Sequence, residues 1–540
     1  MTLDLAASQR IAPATASPWW KGAVIYQIYP RSFADSNGDG IGDLQGVTAH
    51  LDHVADLGCD AVWISPFFTS PMKDFGYDVA DYRGVDPIFG TIDDFDELVA
   101  KTHALGLRVM IDQVYSHSSD QHPWFLESRS SRTNPKADWY VWADPKADGS
   151  PPNNWQSVFG GPSWTWDARR EQYYHHSFLK EQPQLNLHNS EVQEALLEEA
   201  QFWLDRRVDG FRLDALNFAM HDPELRDNPP VENPAKRSRP FDFQRHIFNQ
   251  GHPDITRFIE RLRKLTDRYD ATFTLAEVGG ERSAEEMKLY TAGHARLNSA
   301  YGFDYLYAEA LTPDVVRQTI RDWPGGEGEG WPSWAFSNHD APRFASRWWP
   351  DAQRDAGVRL ALMLLMALRG NVILYQGEEL GLPQAHVAFE YLQDPEAIAN
   401  WPQTLGRDGA RTPMPWTGSA DGGFGSAKPW LPLDPAHRGY NVQDQRADED
   451  SILNWTRELI RLRRDTAALR EGAIRLIGDE SDQVIAFERE LDGDRIACVF
   501  NLSGAPAINP VRTGSMLIST GQADPDSPTL PPAAGYIARC

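Results

Sequence analysis

Three acids stand at or just beyond the ends of short apolar runs that read as β-strands. Asp214 closes the run 210–214, Glu277 closes 272–277, and Asp340 follows 333–337 in Ser337-Asn338-His339-Asp340. Acidic residues are depleted in strands, so their recurrence at one end of several strands needs a reason. A single case reads as a helix N-cap; three on one rim read as chemistry. Two neighbouring carboxyls titrate apart, one ionised and the other protonated. Such a pair can attack an anomeric carbon and protonate the departing oxygen through an oxocarbenium-like transition state. Arg212, two residues before Asp214 and so on the same strand face, is placed to keep its neighbour ionised. A metal centre is the competing use of acids with nearby histidine, since Asp112 and His117 flank the end of another strand. The histidines lack H-E-x-x-H or C-x-x-C company, which argues against a transition metal.

These residues need elements to hold them. Eight strand-like runs occur at 24–29, 61–65, 109–114, 210–214, 272–277, 303–307, 333–337 and 372–375. Amphipathic helices lie between them, at 44–57, 94–105, 191–207 and 255–269 among others. The first carries a one-sided stripe of Leu44, Val47, Leu51, Val54 and Leu57. Strand–helix alternation repeated eight times predicts an α/β fold, a (β/α)8 TIM barrel whose functional residues gather at the C-terminal strand ends. Periodicity alone leaves a doubly wound open sheet as the alternative. The alternation breaks after Val114, where Pro, Trp, Gly and Asn dominate until about Glu191; a structureless loop that long is implausible, so an inserted subdomain is expected. A second long insertion spans 401–447. Short runs at 484–487 and 496–500 predict a C-terminal antiparallel β domain. The expected plan is a flexible N-terminal segment 1–18, a barrel made of 19–114 and 187–470, an inserted subdomain 115–186 and a β domain 471–540.

Composition narrows the function classes. The 540 residues hold 52 Lys and Arg against 77 Asp and Glu, a net charge of −25, which argues against a nucleic-acid partner. With 19 Trp, 17 Tyr and 24 Phe, some rings are expected in cleft walls, although most serve packing. Cys59, Cys498 and Cys540 form no disulfide framework, which fits a reducing compartment. The first eighteen residues lack the apolar core of a signal peptide, and the most apolar run, 360–368, is half a membrane span flanked by Arg359 and Arg369. A cytoplasmic protein without a membrane partner is expected; the sequence sets no oligomeric state.

The segment Asp35-Ser36-Asn37-Gly38-Asp39-Gly40-Ile41-Gly42-Asp43 places oxygen-bearing side chains at alternate positions among glycines. That pattern suits a structural divalent cation, Ca2+ or Mg2+, held by Asp35, Asn37, Asp39, Ile41 and Asp43. The alternative is a Gly-rich turn in which Asp43 caps the following helix. No organic cofactor is called for.

Four blocks now carry a resemblance: Val24-Ile25-Tyr26-Gln27-Ile28-Tyr29-Pro30-Arg31-Ser32-Phe33, Asp209-Gly210-Phe211-Arg212-Leu213-Asp214-Ala215, Asn338-His339-Asp340 and Arg411-Thr412-Pro413-Met414-Pro415-Trp416. In this order the chain resembles the α-amylase superfamily, glycoside hydrolase family 13, in its α-glucosidase and oligo-1,6-glucosidase branch, from Trp19-Trp20 to the C-terminal β domain. The resemblance implies Asp214 as nucleophile, Glu277 as acid/base and Asp340 as stabiliser of the transition state. It implies His117, Arg212 and His339 as contacts to the sugar being cleaved, and Tyr77 as the ring beneath it. It also implies that Asp74 and Arg411 pair to close the pocket on a terminal glucose, making the enzyme exo-acting on a small saccharide. Phe159, Phe178 and Phe303 match rings at the entrance, with ordinary packing as the alternative. Ala215 and Gly279, small where 1,6-acting relatives carry larger side chains, lean toward α-1,4 linkages. Hydrolysis with some transglucosylation is expected; the alternatives are an oligo-1,6-glucosidase or a sucrose- or maltose-acting transglucosidase or isomerase. A non-catalytic relative would have lost these acids or carry a membrane span. Two departures stand out: Gln184 replaces the Asp of Q-P-D-L-N, and Ser116 replaces the Asn that helps α-amylases bind calcium beside the inserted domain.

Overall fold

Eight parallel strands pair in chain order and close on one another in the computed structural model. It describes residues 17–540 apart from 233–238, 324, 326, 327, 329, 403, 405, 426, 427, 479–482, 512 and 513. The strands are β1 Val24–Ile28, β2 Ala61–Ile64, β3 Arg108–Val114, β4 Gly210–Asp214, β5 Phe273–Glu277, β6 Ser299–Tyr301, β7 Trp331–Ala335 and β8 Asn371–Tyr375. Ile25 of β1 stands opposite Ala61 on one side and Ile373 on the other, so no edge remains and the open-sheet alternative is excluded. Strands covered on both faces must be apolar nearly throughout, which is why they read as runs and not as alternations. Ile25, Trp63, Met110, Phe273, Leu275, Tyr301 and Ile373 fill the interior. Trp20 stacks on Phe273 with ring centroids 5.4 Å apart, stoppering the end where the strands begin.

The sixth strand corrects the expectation. It is Ser299–Tyr301, whereas 303–307, the more apolar run, forms turns beyond it. Ser299 fits the interior because its hydroxyl is satisfied by the Trp331 carbonyl (2.6 Å) and the Ser333 hydroxyl (2.7 Å). Tyr305 of the misread run packs against Trp334 and Phe336 instead. A polar strand pinned by two cross-strand bonds looks like a loop in sequence.

The ring of helices includes α1 Leu44–Leu57, α2 Ile92–Ala104, α3 Ser190–Asp205, α4 Ile255–Thr266, α5 Ser283–Thr291, α6 Pro313–Asp322, α7 Arg354–Ala367 and α8 Ile452–Asp465. α1 begins where Asp43 accepts from the Gly46 amide (2.6 Å) and stops at Gly58, whose φ of 87° suits a residue without Cβ. α7 takes in most of the apolar run 360–368 and is buried on nearly every side. Among the described residues no helix is long and apolar enough to cross a membrane.

Between β3 and α3 the chain makes a short helix, Pro123–Ser128, and a three-stranded antiparallel sheet with Gln172–His175 between Trp142–Ala143 and Trp164–Asp167. Gln184 ties this excursion to the barrel by donating to the Phe218 carbonyl at 2.6 Å. The C-terminal sheet is antiparallel, ordered β9 Ala473–Ile477, β10 Val484–Leu491, β11 Asp494–Asn501, β13 Ala534–Arg539, β12 Ser515–Thr520. Buried Arg489 docks it by donating to Ala367 O at the end of α7 (2.7 Å) and to Gly472 O (2.9 Å). The segment 1–18, up to residue 16, lies outside the described residues.

Candidate active site

The C-terminal ends of the strands open into a cavity of about 400 Å³. Asp74, Tyr77, His117, Phe159, Phe178, Asp214, Ala215, Glu277, Gly279, Phe303 and Asp340 line it. Asp214 and Glu277 end β4 and β5, whereas Asp340 sits five residues past β7, in the turn where the Asn338 side chain accepts from its backbone amide (2.9 Å).

Arg212 is fully buried beneath the cavity floor and organises the acids. Its Nη1 donates to Asp214 Oδ1 at 2.7 Å and to Asp112 Oδ1 at 2.6 Å, and its Nη2 lies 2.6 Å from Glu277 Oε1. Tyr301 donates to the same Glu277 oxygen (2.9 Å), and the Ala215 amide donates to Oε2 (3.1 Å). Three carboxylates thus share one guanidinium. Burial, together with repulsion from Glu277, Asp112 and Asp340, holds Asp214 well above the ordinary carboxylate range despite Arg212. Burial likewise pushes Asp112 up to about 6. Burial makes ionising these acids costly, and the Arg212 guanidinium offsets part of that cost for Asp214 and Asp112.

Asp340 has the opposite surroundings. Burial works against its ionisation, but His339, Arg411 and Arg407 hold its carboxyl well below the usual range. Arg411 Nη2 donates to Asp340 Oδ1 at 2.6 Å and Arg407 Nη1 at 3.3 Å. Burial pushes His339 itself down to about 3, so near neutral pH the two arginines supply the charge. Gln27 donates to His339 Nδ1 (2.8 Å), which assigns the ring proton to Nε2, 2.6 Å from the Tyr77 hydroxyl and 3.1 Å from Asp340 Oδ2. Tyr77 and His339 lie nearly parallel, 5.5 Å apart, so a flat face lies at the cavity wall. His117, pushed by burial to about 3, is a neutral ring contacting the Tyr77 carbonyl (3.1 Å) and the Gln182 amide (3.1 Å).

The structure corrects the pair expected at the closed end. Asp74 binds Arg407 Nη2 at 2.8 Å, and Gln182 Nε2 at 3.1 Å, not Arg411. The short turn Asp408–Ala410 sends the two arginines to different places. Arg411 turns inward between the Tyr29 and Phe75 rings and donates to His339 O (2.7 Å), whereas Arg407 lies over Phe159 and faces the cavity. Arg407 stands four residues before the block that opens at Arg411, and the sequence reading did not single it out. Gln182 opens the Gln182-Pro183-Gln184-Leu185-Asn186 segment and was equally open to notice. Tyr301, Asn217 and Phe241 carried no signal, because nothing local marks them.

Phe159 and Phe178 stand 5.9 Å apart on one wall, with Phe178 5.0 Å from Phe218. Phe303 also lines the cavity, and a Cβ at Gly279 would come within 2.5 Å of its ring. The space left by Gly279 is therefore taken by Phe303 and not by solvent. Ala215 has φ of 40°, a left-handed conformation that costs an L-residue about 1–3 kcal/mol and a β-branched one more. Its amide is thereby aimed at Glu277.

In the loop 35–43, Asp35 accepts from the Gly38 (2.7 Å) and Gly40 (2.8 Å) amides, Asn37 from Asp39 N (2.9 Å), and Asp39 from Ile41 N (2.8 Å). Asp43 accepts from Ser36 N (3.0 Å) while capping α1. Among the described residues no three His, Cys, Asp or Glu side chains converge as a metal site. The donor chemistry of the loop, oxygen throughout, is the kind a hard cation takes.

Residues 27–472 match the family model described as alpha amylase, catalytic domain. The chain is 51% identical over 516 residues to a probable alpha-glucosidase of Rhizobium meliloti strain 1021, spanning 94% of this chain and 93% of that protein. It is 35% identical over 543 residues to a probable oligo-1,6-glucosidase of Bacillus subtilis strain 168, spanning 94% and 96%. The solved structure of the alpha-glucosyl transfer enzyme XgtA superposes with a TM-score of 0.93 at 50% identity, covering 97% of this chain and all of the other. Joined to the closed barrel and the acids at its rim, these likenesses place the chain in the α-amylase family, glycoside hydrolase family 13, as a glycoside hydrolase.

Proposed function

We propose that the protein is a retaining, exo-acting α-glucosidase that releases the terminal non-reducing glucose of α-1,4-linked maltose and short oligosaccharides. The observation that carries this reading is the Asp74–Arg407 ion pair. Together with Asp340–Arg411 it ties the walls at one end of the cavity, which supports a pocket that takes a chain end. Asp214 and Glu277 are held by the two terminal nitrogens of one guanidinium, which favours the close spacing of retaining pairs, about 5–5.5 Å, over the wider inverting one.

In the first step Asp214 attacks the anomeric carbon. The bond to the aglycone oxygen breaks, and Glu277 passes its proton to that oxygen. In the second, water loses a proton to Glu277 and displaces Asp214. A sugar hydroxyl in place of water gives transglucosylation, a reading supported by the likeness to XgtA. Tyr77 and His339 support the sugar face, and Asp340, kept ionised by its arginines, faces the positive charge that develops. Ala215, small beside the nucleophile, supports the α-1,4 preference; a preference for α-1,6 links is the second reading, favoured by the likeness to an oligo-1,6-glucosidase. The three cysteines, all free thiols, support a cytoplasmic location. The loop from Asp35 to Asp43 is proposed to hold a structural Ca2+ or Mg2+ through Asp35, Asn37, Asp39, Ile41 and Asp43, remote from bond cleavage.

Asp214→Asn and Glu277→Gln, assayed separately on maltose, isomaltose and sucrose with products resolved, test the reading. Each variant is expected to fold and to lose most turnover. Near-wild-type turnover in either sinks the assignment, and isomaltose cleaved far faster than maltose sinks the linkage.

A further inference from the structure

The turn that follows Glu277 has little of its own to hold it: it runs through Gly279 and Gly280, the latter at φ of 105°. Its brace comes from the short turn that follows β4, Leu216–Phe218. Asn217, three residues after Asp214, donates from Nδ2 to Gly279 O at 2.6 Å and to Glu286 Oε2 at 3.1 Å. The backbone oxygen of Asn217 accepts from Gly251 N at 2.8 Å, and a Cβ at Gly251 would come within 2.0 Å of Glu286 Oε1. Glu286 lies on α5, is buried and borders the cavity.

We propose that Glu286 is a positioning residue for the proton-donating step: through Asn217 it holds the turn after Glu277 against the turn after Asp214. The proposal rests on the reading of Asp214 and Glu277 as the reacting pair.

A carboxylate does here what a neutral group does less well. Ionised, it only accepts hydrogen bonds, so it obliges Asn217 to present its NH2 group and leaves the second hydrogen for Gly279 O. This orientation leaves Asn217 Oδ1, a buried acceptor, without a partner. A protonated Glu286 would donate to that oxygen, turn the amide and release the Gly279 carbonyl. Buried groups are seldom left unsatisfied unless another demand fixes them, and the demand here is the loop beside the acid. Glu286 is in no ion pair among the described residues, and Arg282, which acts on it electrostatically, is paired with Glu285 at 3.1 Å.

Burial pushes Glu286 up to about 7; the Asn217 bond and Arg282 pull it down, and Glu285 raises it again. Tyr290, on the same helix, is the other titratable group facing it. Across the gap Asn217 and Gly251 carry no charge. The brace is therefore complete above neutrality and lost as the carboxyl protonates below it, which adds an acid limb to kcat.

The test is the pH dependence of kcat on maltose for wild type, Glu286→Gln and Glu286→Ala, with thermal melts to confirm folding. Wild type is expected to show a limb with a midpoint near 7. In E286Q, which does not titrate, that limb is expected to flatten to under about twofold while any limb set by Asp214 persists. In E286A, kcat is expected to fall about tenfold or more with KM changed less than about threefold, and E286Q to recover most of that loss. An unchanged limb in E286Q, or an unchanged kcat in folded E286A, overturns the proposal. Because E277Q is assayed independently, inertness of E277Q beside such a result would leave the reading of the reacting pair standing.

Discussion

Arg407 Nη2 lies 2.8 Å from Asp74 Oδ1, joining the loop after β8 to the loop after β2 across the inner end of the cavity. Both side chains are buried, so removing Arg407 leaves the Asp74 carboxylate with only the neutral Gln182 amide at 3.1 Å among the described residues. The same guanidinium also meets Asp394 at 2.8 Å, which fixes its plane.

Arg407→Ala is expected to lower kcat/KM on maltose by about 10²- to 10³-fold, the scale of about 3–5 kcal/mol for a broken buried pair. Arg407→Lys recovers part of this, because one ammonium cannot serve Asp74 and Asp394 as a fork does. Steady-state kinetics with maltose checks the point; a change under threefold in R407A would remove this pair from substrate binding.

Replacing Arg212 tests the sharing of one cation among three acids. In Arg212→Met, Asp214 and Asp112 lose the one cation paired with them among the described residues, so carboxyl pKa values that burial already raises climb further. The ionised nucleophile then requires a higher pH. The acid limb of kcat/KM is expected to move upward by about one unit or more, with maximal activity down at least about 10²-fold. A pH–rate profile whose limb stays in place or moves downward contradicts this.

Gly279→Ala puts a methyl group 2.5 Å from where the Phe303 ring lies, so the ring must swing into the cavity. The ratio of maltose to isomaltose kcat/KM is expected to change by about tenfold, within the 1–3 kcal/mol that one packed group supplies. Adding Phe303→Leu is expected to restore the wild-type ratio. If both variants keep that ratio, the wall formed by Gly279 and Phe303 does not discriminate linkages.

A chelator is expected to lower Tm by a few degrees with kcat at 25 °C unchanged, and Ca2+ or Mg2+ to reverse the shift. A cation at about 100 times its Kd adds about 2.7 kcal/mol to the folded state. Asp35→Ala abolishes the response. Identical melts with and without chelator remove the cation from the loop.

Particular residues show what could be read in the chain. The α1 boundaries 44–57 followed from the one-sided stripe, because amphipathicity is local, and the structure caps that helix with Asp43 and ends it at Gly58. The rim position of Asp214 and Glu277 followed from apolar runs ending in an acid. The sixth strand did not, since Ser299 is legible as strand only once Ser333 and Trp331 stand beside it. Arg407 stands only four residues before Arg411, and local sequence does not say which of two arginines turns inward.

By itself the sequence determined the alternation of strands and helices, the acids at the strand ends and the family motifs, since these depend on neighbours within a few residues. Only the tertiary structure decided that Arg212 serves three carboxyls, that Arg407 and not Arg411 meets Asp74, and that Asn217 and Glu286 brace the turn after Glu277. Those relations join residues tens to hundreds of positions apart. They depend on barrel closure bringing the strand ends together and on burial making each unshared charge expensive, and neither is written in any local stretch of chain.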